Sequence, residues 1–208
     1  MIVGECEIDP TATVCEGAII GKPFRPLLSG QQDMPGGSVI SQRAYVGYYA
    51  IVGARSVVGR ATVIDDHCIV ESDVELGASC LLIYRAQVCN EAVIGENCVI
   101  GGLVGERTRV DSYSRVFGKL VHLQHDPTVP WDSEEVVEGA PSIGAHAFVG
   151  FGAIVAGPVS IGERAYVSAG AIVTRNVPSR HIAFGTNKVV PFAQWTGRLT
   201  SSPLFEDC

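Results

Sequence analysis

The sequence lacks the marks of several common protein classes. Its 208 residues carry a formal net charge of −7, with Lys and Arg scattered. No cationic stripe is available to track a phosphate backbone, which argues against nucleic-acid binding. No apolar run is long enough to span a bilayer, so no membrane insertion is expected. Residues 1–10 have neither the basic start nor the apolar core of a secretory signal, and the expected location is cytoplasmic. No CxxC pair occurs, and the seven cysteines are an odd number. Reduced structural thiols are therefore expected, not disulfides or zinc ligation.

What the sequence has is a period of six. From residue 40 to residue 100 an aliphatic recurs at Ile40, Val46, Val52, Val58, Ile64, Val70, Leu76, Leu82, Val88, Ile94 and Ile100. The next residue is usually small or acidic, as at Ser41, Gly47, Gly53, Gly59 and Asp65. Four positions after each aliphatic comes another small or β-branched residue, such as Ala44, Ala50, Ser56, Thr62 and Cys68. A helix repeats near 3.6 and a half-buried strand near 2, so neither sustains this pattern. One short strand and one turn, repeated with the aliphatic inward, do sustain it, and hexapeptide periodicity marks a β-helix. Cys68, Cys80 and Cys98 take the small inward position, as does Cys6 if the register runs back to Ile2, while Cys15 and Cys89 take the turn position and Cys208 ends the chain. The period also holds at Ile2, Ile8, Val14 and Ile20, and from Ile143 through Val149, Val155, Ile161 and Val167 to Val173.

The pattern aliphatic-Gly-x-x-small-x resembles that of the hexapeptide-repeat acyl- and acetyltransferases, including sugar-modifying and xenobiotic acetyltransferases. The run IGERAYVSAGAIVTRNVP at 161–178 is similar to that family's last coil. The resemblance implies an all-β chain folded as a left-handed parallel β-helix, three hexads to a triangular coil, so that positions 18 apart stack. One domain is expected at 1–178, with irregular loops at 22–39 and 117–142 and a C-terminal tail or cap, helical in one form, at 179–208. Loop 22–39 is read as an insertion over the coil edge or as a wall of an acceptor pocket. The resemblance further implies a homotrimer with sites between subunits. Its implied activity is transfer of an acetyl group from acetyl-CoA to an amine or hydroxyl of a small acceptor such as an amino sugar.

Such chemistry needs a base for the acceptor proton, donors for the thioester oxyanion and a track for a long thiol arm. Histidine suits the first role because it titrates near neutrality. The resembling enzymes carry the base in a loop that leaves the helix before the last coils, and His125 in LQHDPTVPW matches that place. His122 is the other candidate base, His146 a lesser one, and Asp126 a candidate to orient the ring. His67, at an outward turn, reads as a surface residue. For the track, stacked small residues Gly152 and Gly170, with Ser168 and Ala169, would let a pantetheine arm approach the backbone. Thr174, Arg175, Arg180 and Lys188 lie beyond that ridge, where cations meet nucleotide phosphates. The family's Gly-x-Pro-Ala-Lys/Arg is replaced here by Gly185-Thr186-Asn187-Lys188. Trp131, Glu134 and Glu135 are candidate acceptor contacts, their acidity favouring a cationic or amino acceptor. Two alternatives stand beside this reading: a non-catalytic trimeric scaffold, and a metal site of the kind found in gamma-class carbonic anhydrases, using His122, His125 and Asp126.

Overall fold

A computed structural model describes residues 1–24, 36–122 and 139–196. Strands, most of them two residues long, stack into three sheets of eight, ten and eight strands, parallel except for one antiparallel edge strand of the ten, and form the faces of a left-handed prism. The inward aliphatics align in three ladders. The first face carries Ile40, Val58, Leu76, Ile94, Val110, Ile143 and Ile161. The second carries Val46, Ile64, Leu82, Ile100, Val116, Val149 and Val167. The third carries Ile20, Val52, Val70, Val88, Val104, Leu120, Val155 and Val173. The ladders form one continuous buried core together with the small residues Ala44, Cys68, Cys80 and Cys98. Burial of each aliphatic contributes about 1.5–3 kcal/mol, so the six-residue period is itself the stabilising pattern.

Each full turn bends at its fourth residue, which takes the left-handed backbone region. Among the described residues fifteen non-glycine turn residues do so, including Tyr49 (φ 57°), His67 (φ 59°), Arg85 (φ 63°) and His146 (φ 59°). That conformation costs about 1–2 kcal/mol per residue. The coil offsets it with a bond between stacked turns: the N–H of His67 donates to the Tyr48 carbonyl at 2.9 Å, and that of Tyr113 to Glu96 at 2.8 Å. Where turns press together glycine is required. A Cβ on Gly59 would stand 2.4 Å from the Gly77 carbonyl carbon.

The strict spacing of 18 fails in one region. Val88 pairs with Val104 and Val104 with Leu120, both 16 apart. Twice in succession the corner between the second and third faces is made by a four-residue step, Ile100 to Val104 and Val116 to Leu120, instead of six. Strand Lys119–Val121 thus continues the third face inside the stretch expected to be loop from 117 onward. The helix also runs past Pro178, where the period was expected to stop. Val173 to Val177 is a further four-residue step, and Ile161 bridges Val177, Val167 pairs with Ala183 and Ile172 bridges Thr186. Pro178 is tolerated because the matching N–H in lower coils, such as that of Gly59 to Leu76, donates to the next coil of the first face. Here that face has ended.

The tail at 179–196 is a hairpin, not a helix. Strand His181–Phe184 extends the second face, and Lys188–Pro191 returns antiparallel along its edge. A single 3-10 turn, Phe192–Gln194, follows, and Trp195 meets Phe184 edge-on at 5.5 Å. At the other end the first coil is incomplete: the inward Ile2 and Val14 are 60% and 36% exposed. Both irregular insertions leave the same corner, between the third and first faces. Phe24 returns to the prism, its N–H donating to the Ser72 hydroxyl at 3.2 Å and its ring lying 4.5 Å beneath Lys22 Nζ.

Candidate functional site

The corner between the second and third faces changes character along its length. At the N-terminal end its turns carry aromatic side chains. Tyr49 covers Gly17, where a Cβ would stand 2.5 Å from the ring, and stacks on His67 at 5.5 Å. His67 meets Tyr84 edge-on at 5.6 Å, and Arg85 lies 5.1 Å over the Tyr84 ring. At the C-terminal end the turns are bare. Gly152 and Gly170 hold left-handed φ values of 68° and 69°, and a Cβ at either would meet nothing within 4 Å. The Gly170 N–H donates to the Phe151 carbonyl at 2.9 Å, so the two turns stack. Glycine is not demanded by geometry there, since fifteen other described turn residues bend the same way with side chains. What it provides is a cleared ledge.

Between the two ends lies a recess of about 300 Å³, cut by the two short corners. A Cβ on Gly102 would stand 1.9 Å from the Gly118 carbonyl oxygen, and one on Gly118 2.5 Å from that of Ala153. Only glycine lets these corners draw inward. Phe117 lies over Gly101 and stacks on Phe151 at 4.8 Å, giving the recess an aromatic wall. Arg85, Gln87 and Lys119 supply its polar lining. The Gln87 side-chain amide donates to a Glu71 carboxylate oxygen at 3.0 Å, which fixes the group.

The expected cofactor residues fall into two groups. Gly152, Gly170, Ser168 and Ala169 lie together on the ledge, with Ser168 half-buried and Ala169 exposed. Thr174 belongs to a clasp with the tail: its N–H donates to Asn187 Oδ1 at 2.8 Å, and Asn187 Nδ2 donates to its hydroxyl at 2.9 Å. The clasp sets Gly185, Thr186, Asn187 and Lys188 at the foot of the ledge, where the Ile172 N–H donates to the Gly185 carbonyl at 2.8 Å. Arg175 and Lys188 are exposed.

His122 is half-buried and follows Val121, which pairs with Ala156 on the third face. Strand Lys119–Val121 crosses that face, so His122 emerges at the other corner and not beside the glycine ledge. His125, Asp126, Trp131, Glu134 and Glu135 lie outside the described residues, as do two members of the alternative metal set. His146 sits at a turn apex stacked on Tyr113 at 5.0 Å, and His67 is held in its aromatic ladder. Both are surface packing residues. The recess escaped the sequence reading. Its signal was the repeat of a glycine-bearing four-residue step, IGGLV and then VFGKL, which periodicity registers as a loss of pattern instead of a shape.

Residues 140–175 match the family model described as bacterial transferase hexapeptide (six repeats). No curated protein matches the chain. Among solved structures it is similar to the acetyltransferase domain of PglB from Neisseria gonorrhoeae (17% identity over 91% of this chain and 58% of that one, TM-score 0.31). It is also similar to PerB from Caulobacter crescentus, solved with CoA and GDP-perosamine (20% identity, 88% and 55%, TM-score 0.24). A third is the soybean serine acetyltransferase apoenzyme (27% identity, 57% and 40%, TM-score 0.38). The chain spans little more than half the length of the first two and less of the third. The repeats matched at 140–175 continue the six-residue period and the three stacked parallel faces of the other described residues, so the fold is that of a left-handed β-helix of hexapeptide repeats.

Proposed function

We propose that the chain is a coenzyme A-dependent acyltransferase that moves an acetyl group onto an amine or hydroxyl of a small acceptor. The observation that carries this reading is the cleared ledge at Gly152 and Gly170, running from the exposed Lys188 and Arg175 up to the recess. A flexible thiol arm lies against such a ledge because backbone amides are reachable where no Cβ intervenes. Arg175 and Lys188 sit where the phosphates at the far end of that arm would fall. Coenzyme A supplies the activated thioester; the protein supplies position and proton transfer.

His125 takes the acceptor proton as the nucleophile attacks the thioester carbonyl, with Asp126 orienting its ring and His122 as the competing base. A positioned base of this kind contributes about 10²–10⁴-fold in rate. Backbone N–H groups hold the oxyanion, and the proton then passes to the departing thiol. Trp131, Glu134 and Glu135 wall the acceptor, an amino sugar or a similar amine. The ledge and His122 lie on different corners of one chain, which favours a homotrimer whose sites form between one copy's ledge and its neighbour's loop.

Calorimetric titration with acetyl-CoA, with molecular size measured on the same sample, tests the reading. Saturable binding to a trimer is expected, followed by loss of turnover in His125→Ala and milder loss in His122→Ala. No binding at millimolar acetyl-CoA overturns it and leaves a non-catalytic β-helix scaffold.

A further inference from the structure

We infer that the recess is an oxyanion seat for the acceptor, in which Arg85 and Lys119 hold a carboxylate or phosphate carried by the molecule to be acylated. The inference rests on the transferase reading for the word acceptor, and on the recess itself for the charge. Arg85 comes from the full turn one coil before the short corners and Lys119 from the strand that leaves the second of them. Both are exposed, and neither meets a carboxylate among the described residues; Arg85 is instead braced over the Tyr84 ring. What marks this pair is that both cations face one recess, in a chain of net charge −7. An anion drawn there is recruited by the local pair against the field of the whole molecule. Guanidinium and ammonium together favour a group with several oxygens, because the planar fork takes two and the point charge a third.

The location separates this seat from the nucleotide end of coenzyme A. Strands in adjacent coils are about 4.8 Å apart, so the Gly118 level lies roughly 14 Å from the Gly185 level, three spacings along the ledge. With phosphates at Lys188 and Arg175, the arm reaches the recess with its acyl end. The group bound by Arg85 and Lys119 is then the second reactant. The aromatic wall at Phe117 and the glycine backbones of Gly102 and Gly118 leave room for a compact body beside the charge. The acceptor class is a small amine or alcohol bearing an oxyanion, such as an amino acid or an amino sugar phosphate.

The experiment has two arms on the full chain. In the first, inorganic phosphate, acetate, O-phosphoethanolamine and serine are titrated calorimetrically, with and without saturating CoA. At least one binds saturably, the phosphate or the carboxylate members identifying which oxyanion is read. The double variant Arg85→Gln/Lys119→Gln weakens that binding about tenfold or more. Lys119→Arg retains it, and so does Arg43→Gln/Arg60→Gln, which likewise removes two positive charges at another corner. No saturable binding of any probe, or equal binding by the double variant, overturns the seat. In the second arm, thiol release from acetyl-CoA is compared for aminoethanol, O-phosphoethanolamine and serine, and for glucosamine and its 6-phosphate. The anionic members are preferred, and the double variant raises their KM with the KM for acetyl-CoA unchanged. A rise in the acetyl-CoA KM instead overturns the assignment to the acceptor. Anion binding without any CoA binding sinks the transferase reading and keeps the seat; turnover of neutral members alone does the reverse.

Discussion

A left-handed turn apex is expensive for a residue with a side chain, yet this chain fills most of them with Arg, Tyr, His or Asp. The exceptions at Gly152 and Gly170 therefore report on what lies outside the turn. Gly170→Tyr is predicted to raise the acetyl-CoA KM at least about tenfold, since it adds a ring where now there is none, while stability falls only by the about 1–2 kcal/mol of a left-handed side chain, which Tyr49 already bears in the same bend. A large fall in Tm with unchanged KM would assign Gly170 to folding. A second residue-scale prediction concerns pH. Burial pushes the Cys68 thiol up to about 11, above the ordinary value near 8.5. The unfolded chain loses this proton first, so stability that is full below about pH 8.5 declines as pH rises toward 11. Urea midpoints measured at pH 8 and pH 10.5 should differ by less in Cys68→Ala than in the native protein; an equal difference would contradict the burial effect.

At the scale of the element, the inward aliphatic is what the repeat conserves from coil to coil. Leu82→Ala, at a fully buried rung, should cost about 2–5 kcal/mol, whereas Leu81→Ala beside it, 38% exposed, should cost about 0.5 kcal/mol or less. Denaturant titration of the two separates the faces of a two-residue strand. The ladders were legible in the sequence because burial repeats wherever the period does. The shortened corners were not, because a missing pair of residues shifts the register: 18 becomes 16 and Leu120 reads as loop. Pro178 misled for a related reason, since a proline ends a pattern on paper but costs nothing where no further strand awaits its N–H. The candidate base was placed by resemblance alone, His125 lying beyond the described residues. Arg85 and Lys119 went unread because they are 34 positions apart and meet only through the stacking of the coils. Adding two residues to each four-residue corner should restore six-residue turns, leave Tm within a few degrees and abolish anion binding at the recess.

At the scale of the whole molecule, each coil touches only the coil above and the coil below. Stability is then a sum along an axis, set by rung quality and by the two ends. The C-terminal end is closed by the antiparallel strand Lys188–Pro191 along the second face. Association through an outer face would bring one copy's ledge beside a neighbour's loop, and sedimentation should give three times the 22.0 kDa chain mass; a monomer at micromolar concentration would contradict the shared site.

The incomplete first coil, with Ile2 and Val14 open to solvent, has its own outcome in time. A stack of rungs melts from its weaker end, and here that end is fixed by the sequence. Amide hydrogen exchange should therefore form a gradient along the axis, with deuterium entering first near residues 2–20 and last in the central rungs from Ile64 to Ile100. The molecule would fray like a ladder losing its lowest steps, while the recess and ledge farther up keep their shape.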